Sequence, residues 1–203
     1  MGAGQGATTT GGVTHALLWN GTPESAVDLN PNWGPGTTSK ANGIFEDFQV
    51  GSAGNSALGS FSHATLWNGT AASAVDLNPI GFVGSEAIAI YGNYQVGNGN
   101  IAGGTGGTHA LLWNGTAASA IDLNQYLVGL PVTFTLTLAT GIDSDGSIVG
   151  FGRDSNFIRY PIIWTSVPEP CSLVLAVPFV WGAFALRRPR RQKSLANALF
   201  LDL

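Results

Sequence analysis

Apolar residues in this chain come in short runs bounded by Gly, Asn and Ser, a pattern that predicts strands and turns rather than long helices. The clearest run is His15-Ala16-Leu17-Leu18-Trp19-Asn20-Gly21-Thr22, followed by Ser25-Ala26-Val27-Asp28-Leu29-Asn30. It returns from His63 through Trp67 to Asp76, and again from His109 through Trp113 to Asp122. The three histidines are 48 and 46 residues apart, a period typical of repeats that fold by stacking sheet-like units. Alternation places His63, Thr65 and Trp67 on one face of their strand and Ala64 and Leu66 on the other. Both faces are partly apolar, as expected of a strand packed between neighbouring sheets.

Each complete unit divides into four β segments. Two precede the histidine, such as Gly43-Ile44-Phe45 and Phe48-Gln49-Val50-Gly51, or Ala87–Ile90 and Tyr94-Gln95-Val96-Gly97. The third is His-Ala-x-Leu-Trp and the fourth is Ala-Val/Ile-Asp-Leu. Asn-Gly joins the last two, which favours a tight type I′ hairpin, although the Thr-x-x-Ser that follows leaves a wider connection open. A degenerate fourth unit has Tyr160-Pro161-Ile162-Ile163-Trp164 as its third segment, Asp143-Ser144-Asp145-Gly146 as a hairpin turn, and no fourth segment. The units run over about 1–34, 41–80, 85–125 and 137–165. The glycine-rich start resembles the middle of a later unit, so the chain is expected to begin inside a repeat.

Composition supports an all-β reading. Twenty-nine glycines among 203 residues suit turns and penalise helix interiors by about 1 kcal/mol each relative to alanine. The recurring tryptophans and paired aliphatics supply the apolar area that a disordered chain lacks. Before residue 171 there are eleven acidic and only three basic side chains, which makes nucleic acid an unsuitable partner. A single cysteine, Cys171, excludes an intramolecular disulfide framework.

Taken together, the His-Ala, Trp, Asn-Gly and Asp-Leu positions of residues 5–165 resemble the HAF-type repeat of bacterial extracellular proteins. Such repeats are regarded as β-propeller blades. The resemblance implies an incomplete, propeller-like array of about three and a half four-stranded units. Val167-Pro168-Glu169-Pro170, an uncharged segment from Cys171 to Leu186, and Arg187-Arg188-Pro189-Arg190-Arg191 follow in that order. This arrangement, over 166–191 with a tail at 192–203, resembles the PEP-CTERM protein-sorting signal. A sixteen-residue helix would reach about 24 Å, and snorkelling arginines would extend it toward the ~30 Å hydrocarbon core. The resemblance implies a hydrophobic helix held transiently in the bacterial inner membrane, an exosortase-type enzyme that removes it, and release to the cell surface or extracellular matrix.

The expected function is therefore an exported, non-enzymatic repeat protein with a structural or binding role, extracellular polysaccharide being one partner considered. The alternatives are a secreted propeller-type enzyme acting on polysaccharide and a permanently membrane-anchored binding module. No cofactor is implied. His15, His63 and His109 are the metal candidates, but no second His or Cys accompanies any of them, and hydrogen bonding to a neighbouring strand or loop is the favoured role. Asp28, Asp76 and Asp122 are read as turn carboxylates that accept backbone N–H groups. Trp19, Trp67, Trp113 and Trp164 are read as core between units rather than as a sugar-stacking stripe. Asn20-Gly21-Thr22 and its two copies are formal glycosylation sequons better explained by the turn.

Overall fold

Strands form where the short apolar runs lie. The computed structural model describes residues 2–7, 13–55, 61–103, 107–165 and 199–202. β1 (Gly2–Ala7), β2 (Thr14–Trp19) and β3 (Val27–Asp28) make a three-stranded antiparallel sheet. β4 (Thr38–Phe45), β5 (Phe48–Gly54), β6 (His63–Asn68) and β7 (Val75–Asp76) make a four-stranded one. β8 (Phe82–Tyr91), β9 (Tyr94–Ile101), β10 (Thr108–Trp113) and β11 (Ile121–Asp122) repeat that arrangement. β12 (Phe134–Ile142), β13 (Ile148–Asp154) and β14 (Arg159–Thr165) repeat its first three strands. β15 (Leu199–Asp202) pairs with β14 in parallel and fills the place where no fourth segment was expected. A parallel bridge between Thr108 and Leu136 joins the third and fourth units into one eight-stranded sheet.

Register identifies equivalent positions. Gln49 pairs with Trp67 and Gln95 with Trp113, and Gly2 holds the same place opposite Trp19. β1 is thus the second-segment strand of the first unit. In the other three units the first strand is bulged at one recurrent place, between Ala41 and Gly43, Ala87 and Ala89, and Ala139 and Gly141. The bulge presses a carbonyl onto the partner strand. A Cβ on Gly51, Gly97 or Gly150 would lie 1.9, 2.0 and 2.0 Å from the carbonyl oxygens of Lys40, Glu86 and Leu138.

The core lies between successive sheets. Ala16, Leu18 and Leu29 of the first unit pack on Ala41, Ala53 and Trp67 of the second. Val50, Ala64, Leu66 and Leu77 of the second pack on Ala87, Ile90, Leu111 and Trp113. Val96, Ala110 and Leu123 of the third pack on Ala139, Ile148, Ile162 and Trp164. β6 and β10 therefore give Trp67 and Trp113 to the preceding unit, and Ala64, Leu66, Ala110 and Leu112 to the following one. Trp67, Trp113 and Trp164 are fully buried. Trp19 has no earlier sheet among the described residues and is only half-buried. At the other end Val149, equivalent to the buried Val50 and Val96, is 45% exposed.

Polar contacts differ between junctions and give them register. Lys40 Nζ and Asn42 Nδ2 both donate to Glu86 Oε1, at 2.7 and 2.9 Å, tying β4 to β8. The lysine and glutamate are partly solvated, so Lys40→Ala should lower stability by less than about 1 kcal/mol in urea unfolding.

Two expectations are corrected here. Among the described residues the sheets are open, none curls closed, and successive units are joined by stacked faces and one edge bridge, so the propeller reading is withdrawn. Among the described residues no helix is long and apolar enough to cross a membrane, the only helical turns being three to four residues long. The expected hydrophobic helix, with Val167, Pro168, Glu169, Pro170, Arg187, Arg188, Arg190 and Arg191, lies outside the described residues. With no spanning helix among the described residues on which to build them, transient inner-membrane anchoring, exosortase processing, the exported address and the permanent-anchor alternative are withdrawn. The propeller-enzyme alternative falls with the propeller.

Candidate functional site

The histidine and the aspartate that the sequence marked separately form one pair. In β6 and β7, Thr65 lies opposite Asp76, so His63, two residues away on the same face, is Asp76's diagonal neighbour. His63 Nδ1 and Asp76 Oδ2 are 2.7 Å apart, and the distance is also 2.7 Å for His15–Asp28 and His109–Asp122. A carboxylate has no proton to give, so Nδ1 carries it and donates. The other carboxylate oxygen accepts the backbone N–H of Asn30, Asn78 or Asn124, at 2.8, 2.8 and 2.9 Å. This closes an Asx turn that fixes the asparagine side chain.

That asparagine reaches the next unit. Asn78 Oδ1 accepts the Ser85 hydroxyl of β8 at 2.7 Å, and Asn30 Oδ1 accepts the Ser39 hydroxyl of β4 at 2.6 Å. Thr137 of β12 makes the same bond to Asn124. Each hydroxyl oxygen in turn accepts a backbone N–H from the histidine strand behind it: Ala16 to Ser39 at 2.9 Å, Ala64 to Ser85 at 3.0 Å, and Ala110 to Thr137 at 2.9 Å. Asn30 and Asn78 also donate to the backbone carbonyls of Thr37 and Phe82. The result is a His–Asp–Asn–Ser/Thr latch, made three times, that locks each unit to its successor.

A second network holds the turn after each tryptophan. The connection is the wider of the two forms left open, with 3-10 turns at Pro23–Ser25, Ala71–Ser73 and Ala117–Ser119. Ser25, Ser73 and Ser119 each accept the N–H of Asn20, Asn68 or Asn114 at 2.8 Å. In the second and third units a buried glutamine adds a further clamp: Gln49 Oε1 accepts Gly69 N–H at 2.9 Å and Gln95 Oε1 accepts Gly115 N–H at 2.8 Å. Their amide nitrogens donate to the carbonyls of Asp47 and Asn93, both at 2.7 Å.

The fourth unit lacks the latch. Tyr160 stands in the histidine position and donates to Asp154 Oδ2 at 3.2 Å. Burial, and then the Asp154 carboxylate beside it, raise the Tyr160 hydroxyl above its ordinary range. Pro161 replaces the alanine whose N–H crosses to the next sheet, and proline has no N–H to give. The far face of this unit therefore cannot accept another latch of the same kind.

Trp164 Nε1 donates to the Leu123 carbonyl at 3.3 Å, while Trp67 and Trp113 Nε1 are buried without an acceptor. The indoles are held by packing. Among the described residues no three His, Cys, Asp or Glu side chains gather to hold a metal. The grooves between units are shallow: one of about 190 Å³ is lined by Phe48, Leu66, Asn93, Gln95 and Asn114, and a polar one of about 310 Å³ by Lys40, Ser62, Ser85, Glu86 and Asn98. Neither includes a histidine or an aspartate. Comparison with protein-family models, curated proteins and solved structures finds no match.

Proposed function

We propose that this chain is a non-enzymatic repeat scaffold, kin to the HAF-type repeats that residues 5–165 resemble, whose work is to hold sheets in a fixed stack. Val167-Pro168-Glu169-Pro170 resembles the PEP-CTERM motif, a second mark of the same kinship. The observation that carries the reading is the commitment of every recurring His and Asp to the latch. Both oxygens of Asp28, Asp76 and Asp122 already accept hydrogen bonds, and the geometry is the same in all three copies. A catalytic centre built on a repeat departs from it at one place, where acid, base and cleft meet. Here the departure, at Tyr160 and Pro161, exchanges the imidazole for a phenol, removes the crossing backbone N–H and lines neither groove.

The latch gives the test. Ser85→Ala leaves the buried Ala64 N–H and Asn78 Oδ1 without their shared partner, and the loss should be about 1–3 kcal/mol by urea denaturation. Amide exchange should speed up at Ala64 and at the Asx-turn Asn78. If stability and exchange were both unchanged, the latch would be idle and its His–Asp pairs would be available for chemistry, which would defeat the scaffold reading.

A further inference from the structure

The three Asn-Gly turns are chemically the same dipeptide in two different environments. Asn20, Asn68 and Asn114 are all exposed. Gly21, Gly69 and Gly115 all have positive φ, at 85°, 70° and 75°, with open space where a Cβ would be. The serine clamp on the asparagine N–H is present in each. The first turn has Pro23-Glu24 where the others have two alanines, yet it forms the same 3-10 turn. What differs is the glycine N–H. Gln49 and Gln95 hold it in the second and third units, each glutamine buried and itself anchored through its amide nitrogen. In the first unit the glutamine position is Gly2, which has no side chain, and Gly21 N–H has no acceptor among the described residues. An open groove lined by Gly2, Trp19, Gly21, Thr22 and Pro23 lies there instead.

That N–H is the reacting group in the spontaneous chemistry of Asn-Gly. The glycine nitrogen gives up its proton to base and attacks the asparagine Cγ, forming a C–N bond. The Cγ–Nδ2 bond breaks and ammonia leaves with a proton, closing a succinimide. Water then opens the ring at either carbonyl to give aspartate or isoaspartate. A hydrogen bond from the glycine N–H stabilises the unreacted turn and fixes the nitrogen away from attack. We propose that Asn20-Gly21 is a site of spontaneous deamidation, and that Gln49 and Gln95 shield the other two copies. Each event places a new negative charge on the β2–β3 turn. In the isoaspartate form it also lengthens the backbone there by one methylene.

The full chain is incubated in mildly alkaline buffer and mapped by peptide mass spectrometry, with and without urea. Folded, Asn20 should deamidate about tenfold faster than Asn68 and Asn114, the rate equivalent of one good hydrogen bond present in the unreacted turn and lost on the way to the transition state. In urea the three rates should converge. Gln95→Leu, which keeps most of the bulk and removes the acceptor, should bring Asn114 to the rate of Asn20 while leaving Asn68 protected. Equal rates in the folded wild-type chain would overturn the proposal without any variant. A difference that persisted in urea would also overturn it, by assigning the effect to Pro23-Glu24 rather than to the fold. So would an unchanged Asn114 rate in a Gln95→Leu chain with native circular dichroism.

Discussion

Gly97→Ala should destabilise the protein by about 3 kcal/mol or more, with the urea midpoint falling and the slope unchanged. The added Cβ would stand 2.0 Å from the carbonyl oxygen of Glu86 and 2.9 Å from Ala87 Cα, both backbone atoms of the bulge in β8. Neither is the end of a side chain that could swing away, so β8 or β9 must shift. β8 carries Ala87 and Ile90 into the core beneath it, and β9 carries Val96 into the core above. Gly115→Ala is the control within the same unit. It meets nothing within 4 Å, and its penalty is only the left-handed backbone at φ 75°, about 1–2 kcal/mol. If the two variants lost equal stability, the close approach under the bulge would carry no weight. Gly51 and Gly150 are under the same constraint and should behave as Gly97 does.

This constraint could not be read from the chain. Gly51 and Gly97 close Phe/Tyr-Gln-Val-Gly, and a glycine there reads as the end of a strand. Its cause is a bulge on a different strand, some ten residues earlier. The strands themselves were legible, because His-Ala-x-Leu-Trp alternates and its neighbours are turn formers. The direction of packing was partly legible: alternation separated Ala64 and Leu66 from Trp67, but not which neighbouring sheet each face meets. The His–Asp pairing was hidden because the twelve residues between them include a turn of two possible widths, and only the register Thr65↔Asp76 brings the side chains together. Ser39, Ser85 and Thr137 escaped notice among many serines and threonines. Their signal was position: each stands two residues before a small apolar residue, Ala41, Ala87 or Ala139, that packs in the core. The buried Gln49 and Gln95 had a clearer signal, a polar side chain recurring between an aromatic and a valine. The propeller expectation went wrong at the level above. Four short strands per unit are compatible with a ring of blades or with a stack, and the sequence of one unit does not contain the angle between units.

The tryptophans decide between those two arrangements in solution. Trp113→Ala should lose about 3–5 kcal/mol, since a fully buried indole leaves both its transfer free energy and a cavity between the second and third sheets. Trp113→Phe should lose much less, because the indole nitrogen has no acceptor and its removal strands nothing. Trp19→Ala is the informative comparison. Trp19 occupies the equivalent place in β2 and the same side of its strand, but among the described residues no sheet covers that side and the ring is half-buried. Its loss should stay near 1 kcal/mol, in proportion to the smaller apolar area withdrawn from water. In a closed ring of blades the first unit would pack against the last, Trp19 would be as buried as Trp113, and the two alanine variants would lose stability alike. Urea unfolding of Trp19→Ala beside Trp113→Ala therefore measures the openness of the array directly: unequal losses fit stacked open sheets, and equal losses would restore the ring.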